Sequence, residues 1–139
     1  MTERASPGRL RTHVEALEGE RHDRSSPGAK RRALNHVRSE LASYGLSPRL
    51  DPFSFEGETH HNVTCEIPGS DPSAPRILIG AHVDTVRGSP GADDNASGVA
   101  GVLECARLLA AAAAEIGGFR RTLELVVFDL EEQQRYTYR

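Results

Sequence analysis

Hydrophobic residues along the chain follow two spacings, one typical of helices and one typical of strands. Stretches with apolar residues three or four positions apart indicate amphipathic helices. Shorter stretches in which apolar and polar residues alternate, or in which apolar residues form an unbroken run, indicate strands. These spacings predict helices over residues 7–19, 27–44 and 96–116, and strands over residues 49–56, 62–67, 76–80 and 122–129.

Signals at the segment ends support the predicted helices. Ser6 and Ser26 each stand before a proline, which places an N-cap serine ahead of a proline at the first helical position. Gly45 follows the last periodic residue of the second helix, as helix-ending glycines do. The polar segment 19–25 between the first two helices is predicted to be a surface loop.

Two groups of basic or ionisable residues are interpreted as exposed. Lys30, Arg31 and Arg32 stand together on the second helix, where a solvated face explains them better than a ligand site does. His60 and His61 are adjacent on a strand, so their side chains face opposite ways and make poor joint metal ligands. We therefore expect both histidines to be exposed.

The last two strands and the helix between them position the candidate chemistry. Their order predicts a right-handed crossover with the two strands parallel. The run 77–80 is apolar, which predicts a strand buried on both faces. Because parallel strands end at the same edge of a sheet, residues that follow 76–80 and 122–129 are expected to share one crevice.

Imidazole and carboxylate groups follow both of these strands. His82 and Asp84 come directly after the first strand and, being two residues apart, point the same way. Asp94 lies in the loop before the long helix, and Glu131 and Glu132 follow the second strand. Histidine and carboxylate donors suit zinc, and two metal ions bridged by a carboxylate form the hydrolytic site of aminopeptidases. In such a site one glutamate can bind metal while its neighbour serves as general base.

Each acidic pair also has a simpler explanation when it is taken alone. Asp93 and Asp94 could cap the N-terminus of the long helix, and Glu131 and Glu132 could form the acidic first turn of another helix. Their joint occurrence with a His-x-Asp motif, in this order and after these strands, favours the metal site.

The length, net charge and apolar runs of the chain indicate which partners and which cellular location to expect. The chain has 139 residues, enough for one domain, and a formal net charge of -3, so nothing favours nucleic acid or an anionic membrane as a partner. No apolar run reaches the roughly 20 residues of a membrane span, and no apolar signal core begins the chain. We therefore expect a cytoplasmic protein with free thiols at Cys65 and Cys105.

The chain resembles the co-catalytic zinc aminopeptidases, which comprise secreted bacterial leucyl aminopeptidases and their vacuolar and carboxypeptidase-like relatives. Three motifs in order carry the resemblance: GAHVDTV, SPGADDNASGVAGVLECARLL and LVVFDLEEQ. It covers residues 26–133 and implies a three-layer αβα zinc-exopeptidase fold, an α/β fold with a mixed, mostly parallel central sheet. It also implies a cis peptide bond between Asp94 and Asn95.

The resemblance implies a role for each candidate residue. His82 would bind one of two zinc ions, Asp94 would bridge both, and Glu132 would bind the other. Glu131 would be the general base, and Asp84 would hold His82 in its ligating tautomer. The implied reaction removes the N-terminal residue of a peptide substrate by attack of a metal-bound hydroxide on the scissile carbonyl.

The chain departs from that family after the glutamate pair, because residues 134–139 match none of the family's later ligands. Each zinc would then keep two of three protein ligands. We therefore expect residues 1–139 to form one incomplete domain that is inactive alone and self-associates through an exposed edge at strand 122–129. Its parts would be an N-terminal helix and loop (1–25), a family-like core (26–133) and a divergent tail (134–139).

Two other functions remain open at this point. A non-catalytic descendant could serve as an interaction module on the same fold. A carboxypeptidase or deacylase could use the same scaffold. Presence of both glutamates, Asp94 and the His-x-Asp motif favours the enzyme over the interaction module, since a site that has lost its metals has no chemical need for them.

Overall fold

The computed structural model describes residues 3–132, and the predicted elements occur in the predicted order. The predicted divergent tail at 134–139 lies outside the described residues. None of the described helices is long and apolar enough to cross a membrane. The elements are α1 (Pro7–Leu17), α2 (Pro27–Ser43), β1 (Arg49–Phe55), β2 (Glu58–Ile67), β3 (Ile77–His82), α3 (Gly98–Ile116) and β4 (Leu123–Phe128), with a π-helical turn (Ala92–Ser97) before α3.

The two serines predicted as N-caps behave differently. The Ser6 hydroxyl accepts a hydrogen bond from the Arg9 N–H at 3.3 Å, as a capping side chain should. Ser26 occupies the N-cap position of α2, but its hydroxyl accepts a hydrogen bond from the His22 N–H at 2.8 Å. Ser26 therefore fixes the preceding loop as well as marking the start of the helix.

The four strands form one mixed sheet in the order β1-β2-β4-β3. β1 and β2 form an antiparallel hairpin, β2 is antiparallel to β4, and β4 is parallel to β3. The predicted α/β fold with a mixed central sheet is confirmed, as is the parallel pairing across the crossover. His82 stands opposite Phe128 in the register, so both strands end at the same edge.

α2 and α3 pack against this sheet, α1 packs against both of them, and together they form the hydrophobic core. Alternate residues of β2 and β4 point into the core, as expected of strands with one face covered. The core includes Leu17, Leu34, Val37, Leu41, Val63, Cys65, Ile67, Val99, Val102, Leu103, Leu123, Leu125 and Val127. Cys65 and Cys105 are free thiols, as predicted.

The contribution of this core can be tested at α3. Leu103 is fully buried, whereas Leu78 on β3 is 55% exposed. We expect Leu103→Ala to lower the free energy of unfolding by about 2–5 kcal/mol, because it removes buried methyl groups and leaves a cavity. The matched Leu78→Ala should cost less than about 1 kcal/mol. Urea denaturation measures the free energy of unfolding of both variants. Equal losses in the two variants would contradict the placement of Leu103 in the core.

The exposed edge of the sheet differs from the predicted one. β4 lies between β2 and β3, so the expectation that strand 122–129 exposes a backbone edge was wrong. β3 is at the edge of the described sheet, and its residues Ile77 and Leu78 are exposed. The prediction of a strand buried on both faces was therefore also wrong, because an apolar run does not reveal which strands lie beside it.

Two basic side chains predicted to be exposed are buried around Asp129. The Lys30 Nζ lies 2.9 Å from the Asp129 Oδ1, and the His60 Nδ1 lies 3.8 Å from the Asp129 Oδ2. The His60 ring also contacts the rings of Phe53 and Phe55. A buried charge needs a partner, and this partner comes from the distant end of β4, which the local pattern could not reveal.

A buried histidine makes stability depend on pH. His13 on α1 contacts the His36 Nε2 and the Tyr44 hydroxyl, each at 3.3 Å, where α1 meets α2. Burial lowers the pKa of His13 below 6.5, although the charge of Glu40 opposes the shift. The unfolded chain therefore binds a proton more readily, so stability is expected to fall as pH drops below about 6.5.

The pH dependence is measurable by urea denaturation between pH 7.5 and 5. We expect His13→Gln to flatten the loss of stability over this window, because the variant cannot gain a proton on unfolding. An unchanged slope in the variant would contradict the assignment to His13.

Candidate metal centre

His82 and Asp84 leave β3 at the edge where β4 also ends. The Val83 N–H donates to the Phe128 carbonyl at 2.8 Å, which extends the pairing with β4 by one step. The His82 Nδ1 lies 3.6 Å from the Asp84 Oδ1 and 3.2 Å from the Asp84 carbonyl oxygen. The Nε2 is thereby left to face the crevice.

Asp84 also fixes the backbone of the glutamate pair. Its Oδ1 accepts the Glu131 N–H at 3.1 Å and its Oδ2 accepts the Glu132 N–H at 2.9 Å. Asp84 is buried, which disfavours its ionised form, but hydrogen bonds from His82 and from these two N–H groups outweigh burial and lower its pKa. The link between the His-x-Asp motif and the glutamates was not predicted, because it depends on backbone geometry after β4.

The loop before α3 brings Asp94 to the same place. Gly91 adopts a left-handed conformation just before the π-helical turn, and the predicted cis bond between Asp94 and Asn95 is present. The Asn95 Oδ1 accepts the Gly98 N–H at 3.0 Å, which ties the turn to the start of α3. The Asp94 Oδ1 lies 3.0 Å from the His82 Nε2.

Four of the predicted site residues converge in this crevice. His82, Glu131 and Glu132 each offer a ligand atom within 4.8 Å of the others. The Glu131 Oε2 lies 3.8 Å from the His82 Nε2, and Asp94 is in contact with the same nitrogen. Asp93, to which no metal was assigned, is exposed. The sequence-based expectation that these side chains share one crevice agrees with the geometry.

The electrostatics of the crevice favour a cation. Asp84 raises the pKa of His82 to about 9, against the opposing effect of burial. Burial raises the pKa of Glu132, and the facing Asp94 carboxylate raises it further. One imidazole and three carboxylates at these separations are donors that suit zinc, and a divalent ion would relieve the repulsion among the carboxylates.

The sequence matches one family model and has relatives among known proteins. Residues 62–137 match the model of peptidase family M28. The uncharacterized protein YfbL of Escherichia coli is 35% identical over 115 residues, which cover 76% of this chain and 35% of that protein. Leupeptin-inactivating enzyme 1 of Streptomyces exfoliatus is 35% identical over 74 residues, which cover 53% of this chain and 17% of that enzyme. The chain thus spans about a third or less of the length of these relatives.

Solved structures share the fold at lower identity. A glutaminyl cyclase of Macrostomum lignano superposes with a TM-score of 0.75 at 22% identity, covering 91% of this chain and 39% of that one. A leucine aminopeptidase precursor of Bacteroides thetaiotaomicron gives 0.69 at 19% identity, with coverages of 94% and 49%. At such identities the likeness concerns the fold alone. Since the family model spans more than half of the sequence, and its match includes the strands, loop and glutamate pair described above, the chain belongs to peptidase family M28.

Proposed function

We propose that this protein is a zinc-dependent exopeptidase of the aminopeptidase type, which removes the N-terminal residue of peptide substrates. The observation that carries the proposal is the convergence of His82, Asp94, Glu131 and Glu132 at the shared end of β3 and β4. Membership of a peptidase family supports a peptide substrate, and the donor set supports zinc.

Each side chain has a separate task in this proposal. His82 and Asp94 would hold one zinc ion, and Asp94 and Glu132 a second. When bound, zinc lowers the pKa of a water molecule and polarises the scissile carbonyl. Asp84 orients the His82 ring through Nδ1 and fixes the glutamates through their N–H groups.

Glu131 is proposed as the general base. Its side chain is 57% exposed and its Oε2 lies 3.8 Å from the His82 Nε2, so the carboxylate borders the crevice and remains accessible to water and substrate. From this position Glu131 would take a proton from the attacking water and deliver it to the leaving amine. Its neighbour Glu132, whose carboxylate belongs to the same cluster with His82, is proposed as the zinc ligand.

We also propose that the 139-residue polypeptide does not turn over substrate alone. Among residues 3–132, the assignment gives each zinc two protein ligands, counting the bridge, where a catalytic zinc usually has three. The polypeptide should therefore bind zinc weakly. Exposed residues Ile77 and Leu78 on the edge strand should also favour self-association.

The assay uses protein purified from its native host, so that any further segment or partner is retained. We expect zinc-dependent release of 4-nitroaniline from leucine 4-nitroanilide, lost on chelation and restored by zinc. The polypeptide of residues 1–139 serves as the comparison and should release none. Activity only toward C-terminal residues, N-acyl groups or the cyclisation of N-terminal glutamine would contradict an aminopeptidase, and retention of full activity after complete zinc removal would contradict the metal mechanism.

A further inference from the structure

An arginine in the segment predicted to be a surface loop is buried beside the metal centre. Arg21 is only 2% exposed, so the prediction was wrong at this residue. It lies outside residues 62–137, which match the family model. A buried guanidinium costs free energy unless its N–H groups find acceptors, so its contacts identify what it stabilises.

The acceptors of the Arg21 guanidinium are backbone carbonyl oxygens. Its Nε donates to Val83 at 2.7 Å and its Nη2 donates to Gly91 at 2.9 Å. Its Nη1 donates to Leu17 and, at 2.6 Å, to Gly19. The planar fork thus joins the end of α1 to both limbs of the loop 83–91, one limb at each end of the guanidinium.

Neighbouring bonds fix the interior of the same loop. The Arg21 N–H donates to the Thr85 hydroxyl at 3.0 Å, and the Glu20 Oε2 accepts the Gly88 N–H at 2.6 Å. Residues 19–21, which we call the clamp segment, therefore contact the loop 83–91 at its start, middle and end.

The contact at Gly91 is too close for a side chain. A Cβ there would lie 2.3 Å from the Thr85 Cγ2 and 2.7 Å from the Arg21 Nη2, and the φ of +58° also favours glycine. The Gly19 N–H donates to the Pro90 carbonyl at 2.7 Å beside it. The loop and the clamp segment are thus in close contact at Gly91, where an added side chain would require Thr85 or Arg21 to move.

We propose that the clamp segment, chiefly through Arg21, positions the metal ligands by holding the two limbs of the loop 83–91 at a fixed separation. One limb begins at Val83, between His82 and Asp84, and the other ends just before the turn that carries Asp94. Arg21 is a positioning residue, since it acts through the backbone of the loop. The metal part of this inference rests on the proposed function, but the clamp itself does not.

The test compares Arg21→Lys with Arg24→Lys in the metal-free chain. Arg24 lies outside the clamp segment but in the same loop, 19–25, where it is exposed and donates to the Glu56 carboxylate at 2.7 Å. A lysine ammonium cannot reach both limbs, so we expect amide hydrogen exchange at Gly88 and Gly91 to accelerate by about tenfold in Arg21→Lys while amides of α3 and β4 stay unchanged. The Arg24→Lys control should change exchange by less than about twofold. Unchanged exchange in a folded Arg21→Lys, or equal acceleration throughout the chain, would overturn the proposal.

Metal binding gives a second readout. Cobalt(II), used as a spectroscopic substitute for zinc, should bind about 10–100-fold more weakly to Arg21→Lys than to the wild type when both are purified from the native host. Wild-type protein that binds no cobalt would refute the metal site and leave the exchange result to decide the clamp. Wild-type binding with equal affinity in Arg21→Lys would refute the positioning role alone.

A second variant tests the clamp if Arg21→Lys does not fold. Glu20→Ala removes the acceptor of the Gly88 N–H and leaves the guanidinium in place. Faster exchange confined to the loop 83–91 supports the clamp, and unchanged exchange at Gly88 overturns it.

Discussion

Replacing Glu131 with Gln is expected to lower turnover by about 10²-fold or more while zinc content stays unchanged. The glutamine side chain has the same size as the glutamate it replaces, but its amide cannot accept a proton. The backbone N–H of residue 131 still donates to the Asp84 carboxylate. A positioned general base contributes roughly 10²–10⁴-fold to rate, so its loss should appear in kcat. The measurement is the rate and the zinc content of protein from the native host that carries the substitution.

The adjacent Glu132→Gln is the matched control for that experiment. The Glu132 N–H also donates to the Asp84 carboxylate, so each substitution leaves its own backbone hydrogen bond in place. Glu132→Gln should lose zinc together with activity, because Glu132 is proposed as a ligand. Loss of zinc in Glu131→Gln, with zinc retained in Glu132→Gln, would show that the two roles are reversed.

His82→Ala is expected to weaken zinc binding by about 10²-fold or more. Structural zinc sites with four ligands bind with about 10–16 kcal/mol, so one ligand is worth about 3 kcal/mol, which corresponds to about 10²-fold. His82 is also the residue whose Nε2 faces both Asp94 and Glu131. Competition of each variant with a chromophoric chelator for zinc measures the ratio directly.

His61→Ala is the control for that substitution. His61 lies on β2, paired with Pro52 in the hairpin, rather than at the edge where β3 and β4 end. The control should leave zinc affinity unchanged. An equal loss in both variants would mean that zinc is held elsewhere on the chain, and would contradict the assigned centre.

Much of the fold was predictable because its signals are local. The serine before Pro7, the periodicity of α3 and the glycine that follows α2 at position 45 each depend on a few neighbouring residues. The parallel pairing of β3 with β4 followed from a single crossover. From that pairing alone, the convergence of the site residues could be predicted.

Other features depend on contacts between distant parts of the chain. An apolar run predicted β3 as a strand, but the position of β3 at the edge depends on which strands lie beside it. Lys30 and Arg21 are buried because Asp129 and the carbonyls of the loop 83–91 satisfy them, and local sequence does not reveal those partners. The sequence indicated the candidate ligands, whereas the contacts that support them required the structure.

Location of zinc in crystals by anomalous scattering at its absorption edge tests the metal centre most directly. We expect an anomalous peak about 2.0–2.2 Å from the His82 Nε2 and from an Asp94 carboxylate oxygen, and a second peak at similar distances from Asp94 and Glu132. Zinc bound only at other histidines, such as His22 or His61, with no peak beside His82, would contradict the account.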